Sequence, residues 1–300
     1  MTIKTRRTEF IESGRWLGAG ALLLALIMPG TDALAGIANT RHNLSTTGAA
    51  ANVRASTGTE EICVFCHTPH AAEGASAGVP LWNKTLPGTS YTSYSTLNSS
   101  TIDGTFTTVG SISLACLSCH DGTQAMDNIV NAPGYGGYDG TGGGVNGLGY
   151  TWASGSIAGR VSVDGLMTNA ATTLSMLSND LSNDHPIGIQ YCGGGPNATT
   201  PAGACRDRDF VAPQNATINS NLVWYVDTAG GTAATRERTD MVLYTRDFGG
   251  TNAPSVECAS CHDPHVESGT TSGGTGPAAG ASFLRIANTG SAVCLACHVK

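Results

Sequence analysis

Four five-residue words in this chain place two cysteines and a histidine at one fixed spacing. They are Cys63-Val64-Phe65-Cys66-His67, Cys116-Leu117-Ser118-Cys119-His120, Cys258-Ala259-Ser260-Cys261-His262 and Cys294-Leu295-Ala296-Cys297-His298, here called the first to fourth words. Two thiols at this spacing can form thioethers to the vinyl groups of one porphyrin, while the adjacent imidazole binds its iron. The words therefore predict four covalently attached c-type haems, one for each word.

Two other kinds of chemistry use a Cys-x-x-Cys pair. Such pairs hold structural zinc in small domains, and they act as redox pairs in thioredoxin-like proteins. Neither use requires a histidine directly after every second cysteine. Haem attachment does require it, so we interpret the four words as haem sites, with zinc and redox roles as the alternatives.

The remaining histidines equal the number of second axial positions that four haems need. They are His42, His70, His185 and His265, and the motif histidines are His67, His120, His262 and His298. If all eight are used, every iron is bis-histidine, six-coordinate and closed to substrate. Methionine ligation, by Met126, Met167, Met176 or Met241, is then unnecessary.

Spacing limits which iron each of these histidines can serve. His67 and His70 are three residues apart and lie on about the same side of the chain, so they cannot occupy opposite poles of one iron. We therefore expect His70 to bind the haem of the second word, and by the same argument His265 to bind that of the fourth. His185 and His42 then remain for the first and third haems.

The first 35 residues have the three parts of a secretory signal. Basic residues precede an apolar stretch from Trp16 to Met28, and Ala33-Leu34-Ala35 forms a small-residue cleavage site. The pattern predicts an exported protein whose mature chain begins near Gly36. Its apolar stretch is short for a membrane-spanning helix.

Only Cys192 and Cys205 lie outside the four words. A Gly- and Pro-rich stretch separates them, and an exported protein meets an oxidising environment that does not preserve free thiols. We therefore predict a disulfide between them, which would constrain a segment with little propensity for regular structure.

The amino-acid composition limits both the class of fold and the kinds of partner. Without residues 1–35, the chain has 265 residues with 11 Lys and Arg against 19 Asp and Glu, a formal charge of −8 that argues against nucleic-acid binding. The full sequence contains 40 glycines and only 12% charged residues, so it is poor in helix formers and rich in turns. We expect mostly irregular coil packed around four covalently bound haems, a multihaem cytochrome c fold.

Two related haem-pair modules are predicted, because the first and third words each continue as Cys-x-x-Cys-His-x-Pro-His and a plain word follows each. We expect a two-haem module with an N-terminal arm over 36–130, a Gly-rich linker over 131–250 and a second two-haem module over 251–300. The linker would hold His185, the disulfide loop and a small β-hairpin of Asn221–Val226 with Met241–Thr245. Short helical turns are expected at the words.

The chain resembles the extracellular cytochrome filaments, specifically the tetrahaem OmcE-like type with its hexahaem OmcS-like relatives. The matching segments are Arg41 to Ser45, Cys63 to His70, Val79 to Asn83, Cys116 to Gly122, Asp184 to Gly188, Val256 to His265 and Cys294 to His298. The resemblance implies a continuous stacked chain of haems in a homopolymer. It also implies that His42 ligates a haem of the adjacent subunit, the one on Cys258 and Cys261.

The expected function is electron transfer without catalysis, from other multihaem cytochromes as donors to acceptors outside the cell, at an extracellular or cell-surface location. One alternative is a soluble periplasmic shuttle, in which His42 folds back onto its own chain. Another is a multihaem reductase, which needs an iron with an open position and basic residues near it. Against the reductase, Lys84 and Lys300 are the only lysines after the leader.

Overall fold

A computed structural model of the chain describes residues 36–50, 52–70, 72, 79–134, 137, 147–153, 159–168, 175–228, 235–265 and 283–299. From Gly36 onwards the chain forms one compact unit. The predicted signal segment, 1–35, lies outside the described residues, as does much of the Gly-rich stretch after Pro133. All sixteen cysteines and histidines of the predicted haem sites are described.

Each of the four words lies on a helical segment. The first is the 3₁₀ helix Cys63–Phe65, and the others lie on the helices α1 (Ser111–His120), α2 (Cys258–Cys261) and α3 (Ala292–Cys297). In three words the histidine N–H donates to the carbonyl of the first cysteine, at 2.7 Å, 3.1 Å and 2.9 Å for His67, His262 and His298. One helical turn brings residues i and i+3 to the same face, which is what two thioethers to one porphyrin need.

A five-stranded antiparallel sheet is the largest regular element among the described residues. Its strands are β3 Ile189–Gln190, β4 Gln214–Ile218, β5 Asn221–Val226, β6 Met241–Asp247 and β7 Asn252–Val256. They pair in the order β3-β7-β6-β5-β4. A second sheet pairs β1 (Arg54–Ala55) with β2 (Trp152–Ala153).

The predicted hairpin is confirmed, but it is only part of this larger sheet. Strands β5 and β6 pair antiparallel with Trp224 opposite Leu243. Strand β4 joins β5 through Asn219 and Ser220, whose φ values of 49° and 64° fit the two-residue turn that matches strand twist. Strand β7 pairs with β6, so the sheet continues across the boundary at 250 that the sequence predicted between linker and second module.

The disulfide between Cys192 and Cys205 is also confirmed, with a sulfur–sulfur distance of 2.13 Å. Cys192 lies in the 3₁₀ helix Tyr191–Gly193, directly after β3. Further 3₁₀ helices span Gly36–Asn39, Tyr94–Leu97 and Thr289–Ser291. Within the described ranges, none of the helices has the length and apolar character needed to cross a membrane.

Two buried apolar clusters each contact the cysteines of one pair of words. Leu44, Val64, Phe65, Met126 and Ile129 pack against Cys66 and Cys119, the second cysteines of the first and second words. Tyr191, Cys192, Trp224, Val226, Met241 and Leu243 pack against Cys261 and Cys297, the second cysteines of the third and fourth words. We call them the N-terminal and C-terminal clusters.

Candidate haem-binding site

The thiols of the four words do not assemble into a zinc site in the described structure. Tetrahedral zinc needs four ligand atoms within about 4 Å of one another. Among the described residues, the groups of three or more His, Cys, Asp or Glu ligand atoms within 4.8 Å consist of Asp227, Glu237 and Asp240 alone. All eight motif cysteines are free thiols, which the thioether chemistry requires.

The cysteines of neighbouring words lie close enough to act on each other's pKa values, and one such pair shares a hydrogen bond. Burial raises the pKa of Cys66 to about 12, and Cys119 adds to that shift. A hydrogen bond with Cys258 is the main cause that raises the pKa of Cys116. Burial raises the pKa of Cys297 to about 12, with a smaller contribution from Cys261. Each word is thus within electrostatic reach of the next one in the sequence.

A buried polar contact fixes the second word against the third. Ser113 on α1 donates its hydroxyl to Glu257 Oε2 at 2.5 Å and accepts a hydrogen bond from the Cys258 backbone N–H at 3.1 Å. Glu257 and Ser260 form a reciprocal capping box at the start of α2. The two helices that carry Cys116 and Cys258 are therefore held together independently of any cofactor.

Two pairs of imidazole rings have the separation expected of trans ligands on one iron. A metal–nitrogen bond of about 2 Å on each side of a metal ion puts the two ring centroids about 6 Å apart. The centroids of His67 and His265 are 6.2 Å apart with an angle of 13° between the ring planes. The centroids of His42 and His120 are also 6.2 Å apart, with the planes at 77°.

Hydrogen bonds occupy one nitrogen of each ring in these pairs. Nδ1 of His67 donates to Pro80 O at 2.8 Å, and Nδ1 of His120 donates to Ser175 O at 2.7 Å. The other two rings direct Nδ1 to Pro264 O, at 3.5 Å from His42, and to Asp263 Oδ1, at 3.1 Å from His265. Carbonyl and ionised carboxylate oxygens can only accept, so Nδ1 carries the proton and the lone pair of Nε2 is available for a metal.

Burial keeps several of these imidazoles neutral, which metal binding also requires. It lowers the pKa of His42 to about 4, with a further contribution from His120. Burial also lowers the pKa values of His67 and His120. His265 differs, because the hydrogen bond with Asp263 raises its pKa.

The other four histidines are His70, His185, His262 and His298. Burial lowers the pKa of His185, and His298 lowers it further, so the structure brings His185 near the fourth word. Nδ1 of His185 lies 3.1 Å from Pro186 O. His262 acts electrostatically on His42 and His120, and lowers the pKa values of both. His70 is exposed, and its carbonyl accepts hydrogen bonds from Thr68 and Asn131.

These positions differ from the pairing predicted by sequence distance. His265, expected at the fourth word, lies opposite His67 of the first word. His42, expected to reach the third haem of another subunit, lies opposite His120 of its own chain. The prediction assumed that the word nearest in sequence is nearest in space, whereas the fold brings the third word back beside the first.

Comparison with known proteins gives no relative. No family model, curated protein or solved structure matches this chain significantly. The case for haem therefore depends on the residues and geometry of the chain itself.

Three aromatic residues beside the histidines were missed in the sequence. The ring of Phe283 stacks on His42 with centroids 4.1 Å apart, and that of Phe210 lies 4.4 Å from His298. Trp82 meets His67 edge-on at 5.9 Å, and its buried Nε1 has no hydrogen-bond partner within the described part of the chain. Trp82 lies within Val79 to Asn83, one of the segments that carry the resemblance, and no local pattern in the sequence marks Phe210 or Phe283.

The residues present fit four haem c groups. Each word offers two thiols on one helical turn and a histidine, and two words have a second imidazole at the separation that one iron needs. When bound, each haem would supply an iron that changes between the ferric and ferrous states. The chain would supply the axial nitrogens and the apolar walls of the two clusters.

Proposed function

We propose that this chain is an electron-transfer protein carrying four covalently attached bis-histidine haems. The observation that carries the proposal is the pairing of motif histidines with distant histidines, His67 with His265 and His120 with His42, each at 6.2 Å. An iron with two imidazole ligands has no open position for a substrate. Electron exchange through the porphyrin edge is the chemistry left to it.

The proximity of the cysteines in neighbouring words supports transfer between haems. Cys116 and Cys258, which would anchor the second and third haems, share a hydrogen bond. Thioether-linked porphyrins begin at their cysteines, so contacting cysteines bring porphyrin edges close together. Electrons would therefore pass between the second and third haems across the junction held by Ser113 and Glu257.

To test this proposal, the protein is produced in a host that attaches c-type haem, and its haem content is measured. The intact mass and the pyridine haemochrome spectrum of the purified protein should both give four haems per chain. Replacing Cys258 and Cys261 with Ala should remove one haem. The matched control replaces Cys192 and Cys205 with Ala, and it should retain all four. Zinc in place of haem, or a protein without covalent haem, would refute the proposal.

The angle between ring planes provides a second readout. Nearly parallel imidazoles, as in His67 and His265, give a rhombic low-spin ferric spectrum, whereas nearly perpendicular ones, as in His42 and His120, give a strongly anisotropic signal. Electron paramagnetic resonance of the oxidised protein should show both classes. Replacing His265 with Met should remove the rhombic signal of the first haem, while replacing His42 with Met should remove an anisotropic one.

We further propose export through the signal in 1–35 and assembly into an extracellular filament of the type the chain resembles. In the structure His42 lies within its own chain, so the exposed His70 is the better candidate for a ligand given to a neighbouring subunit. Electron microscopy of the wild type, His42→Ala and His70→Ala separates the cases. Filaments lost only with His70→Ala support a trans role for His70, and loss only with His42→Ala restores the first prediction. A wild type without filaments supports the soluble shuttle instead.

A further inference from the structure

The chain contains one fully buried lysine among its described residues, and it lies beside the first word. Lys84 has an exposed fraction of 0%. Its ammonium donates to the carbonyls of Ala125 at 2.9 Å, Met126 at 3.4 Å and Asn128 at 2.9 Å. All three N–H groups of the ammonium are thereby used, and each acceptor is a neutral backbone oxygen.

The segment that carries Lys84 is tied directly to the first word. Trp82 forms an isolated β-bridge with His67, and the Asn83 N–H donates to Cys66 O at 2.9 Å. The positive charge of Lys84 acts on the Cys66 thiol, where it opposes the increase in pKa that burial causes. The cation is thus within electrostatic reach of the place where the first haem would be anchored.

The third word has two charged groups beside it, Glu257 and Arg285, and each is paired with an opposite charge. Arg285 donates to a carbonyl of the third word at 3.0 Å and lies 4.0 Å from Asp263 Oδ2. Glu257, exposed to 1%, directly precedes Cys258 and accepts a hydrogen bond from Arg246 Nη1 at 2.6 Å. An ion pair presents little net charge to a neighbouring iron. Lys84 has no comparable contact: Asp127 acts on it electrostatically, but the described structure has no ion pair between the two within 4.0 Å.

We propose that Lys84 raises the reduction potential of the haem attached to Cys63 and Cys66 relative to the other three haems. This inference rests on the proposed electron-transfer function. Reduction adds one negative charge to a ferric haem, so a nearby buried cation favours the ferrous state, and the low dielectric of the interior leaves the effect little screened. Lys84 would act on this haem through its charge alone, because its three N–H groups are used by backbone carbonyls.

The test is a spectroelectrochemical titration of the haem-loaded protein, which resolves the potentials of the four haems. In Lys84→Met one potential should shift downwards by more than the other three. In Lys84→Arg, which keeps the charge, that potential should stay closer to the wild-type value. Arg208→Met, which removes an exposed charge, should leave all four nearly unchanged. The affected potential is assigned with a Cys63→Ala, Cys66→Ala variant, in which it should be missing.

The outcomes separate this inference from the function on which it rests. Four haems whose potentials do not respond to Lys84→Met would overturn the Lys84 proposal alone. A wild type without covalent haem would overturn both. If Lys84→Met does not fold, Asp127→Asn is the second test, because it removes a negative charge that acts on Lys84. An upward shift of the first haem's potential in Asp127→Asn supports the proposal. An unchanged potential contradicts it.

Discussion

The two pairs of haem words have the same chemistry but different supports. The third and fourth words pack against a five-stranded sheet whose buried cluster includes the disulfide cysteine Cys192. The first and second words pack against a smaller cluster, and buried polar side chains, above all Asn83 and Lys84, connect the surrounding loops. The same Cys-x-x-Cys-His motif can therefore be held in place by a sheet and a disulfide, or by hydrogen bonds from side chains to the backbone.

The largest expected effect comes from removing the partner of Glu257 in the C-terminal half. Arg246→Met leaves a buried carboxylate without its cation, which typically costs about 3 to 5 kcal/mol of unfolding free energy. Denaturant unfolding followed by circular dichroism measures it. Adding Glu257→Gln to the same variant should recover part of the loss, and the exposed Arg208→Met serves as the control. A full-sized loss in the double variant would contradict the explanation.

Removal of the disulfide is the next test of the C-terminal support. Closing a loop of 13 residues restricts the unfolded chain by about 3 kcal/mol, so Cys192→Ala with Cys205→Ala should lower stability by about that amount. Denaturant unfolding followed by circular dichroism measures this loss as well. An unchanged stability would show that the sheet alone holds the third and fourth words.

Asn83 is the corresponding test in the N-terminal half. Its amide donates to Val64 O at 2.7 Å and Asn131 O at 3.0 Å, and its Oδ1 accepts from the Asn131 N–H at 2.9 Å. Losing these bonds in Asn83→Ala should cost about 2 to 3 kcal/mol, because buried backbone groups lose their partners. Asn179→Ala, at an exposed site, is the matched control. Equal losses in the two variants would refute the special role of Asn83.

The smallest predicted effect is a pH dependence from Asp127. Burial raises the pKa of this carboxyl group above its ordinary value of 3.8 in the folded state. A raised pKa means that Asp127 contributes stability below pH 3.8, and this contribution is lost as pH rises through the folded pKa. Wild type should therefore lose stability relative to Asp127→Asn as pH rises in that window, measured by thermal unfolding of both. A constant difference would contradict the assignment.

The sequence predicted local structure better than it predicted contacts between residues that lie far apart in the chain. The words lie on helical turns, the Cys192–Cys205 bond is present, and β5 pairs with β6. Strands β4 and β7 were missed because their sequences, Gln214–Ile218 and Asn252–Val256, are polar or contain a proline.

The pairing of histidines was the part that sequence reasoning could not reach. His67 and His265 lie almost two hundred residues apart in the sequence, and the fold brings them together. The sequence around each histidine does not indicate its partner. Lys84 is similar: its burial depends on three carbonyls more than forty residues away. Chemistry is encoded locally in this chain, whereas the environment of each site depends on tertiary structure.

The spin state of the oxidised protein tests the central claim most directly. Quantitative electron paramagnetic resonance on the purified chain should account for four low-spin ferric haems per molecule, because in our proposal each iron has two imidazole ligands. A high-spin signal amounting to one haem per chain would mean an open iron and would contradict the account of four closed electron-transfer sites.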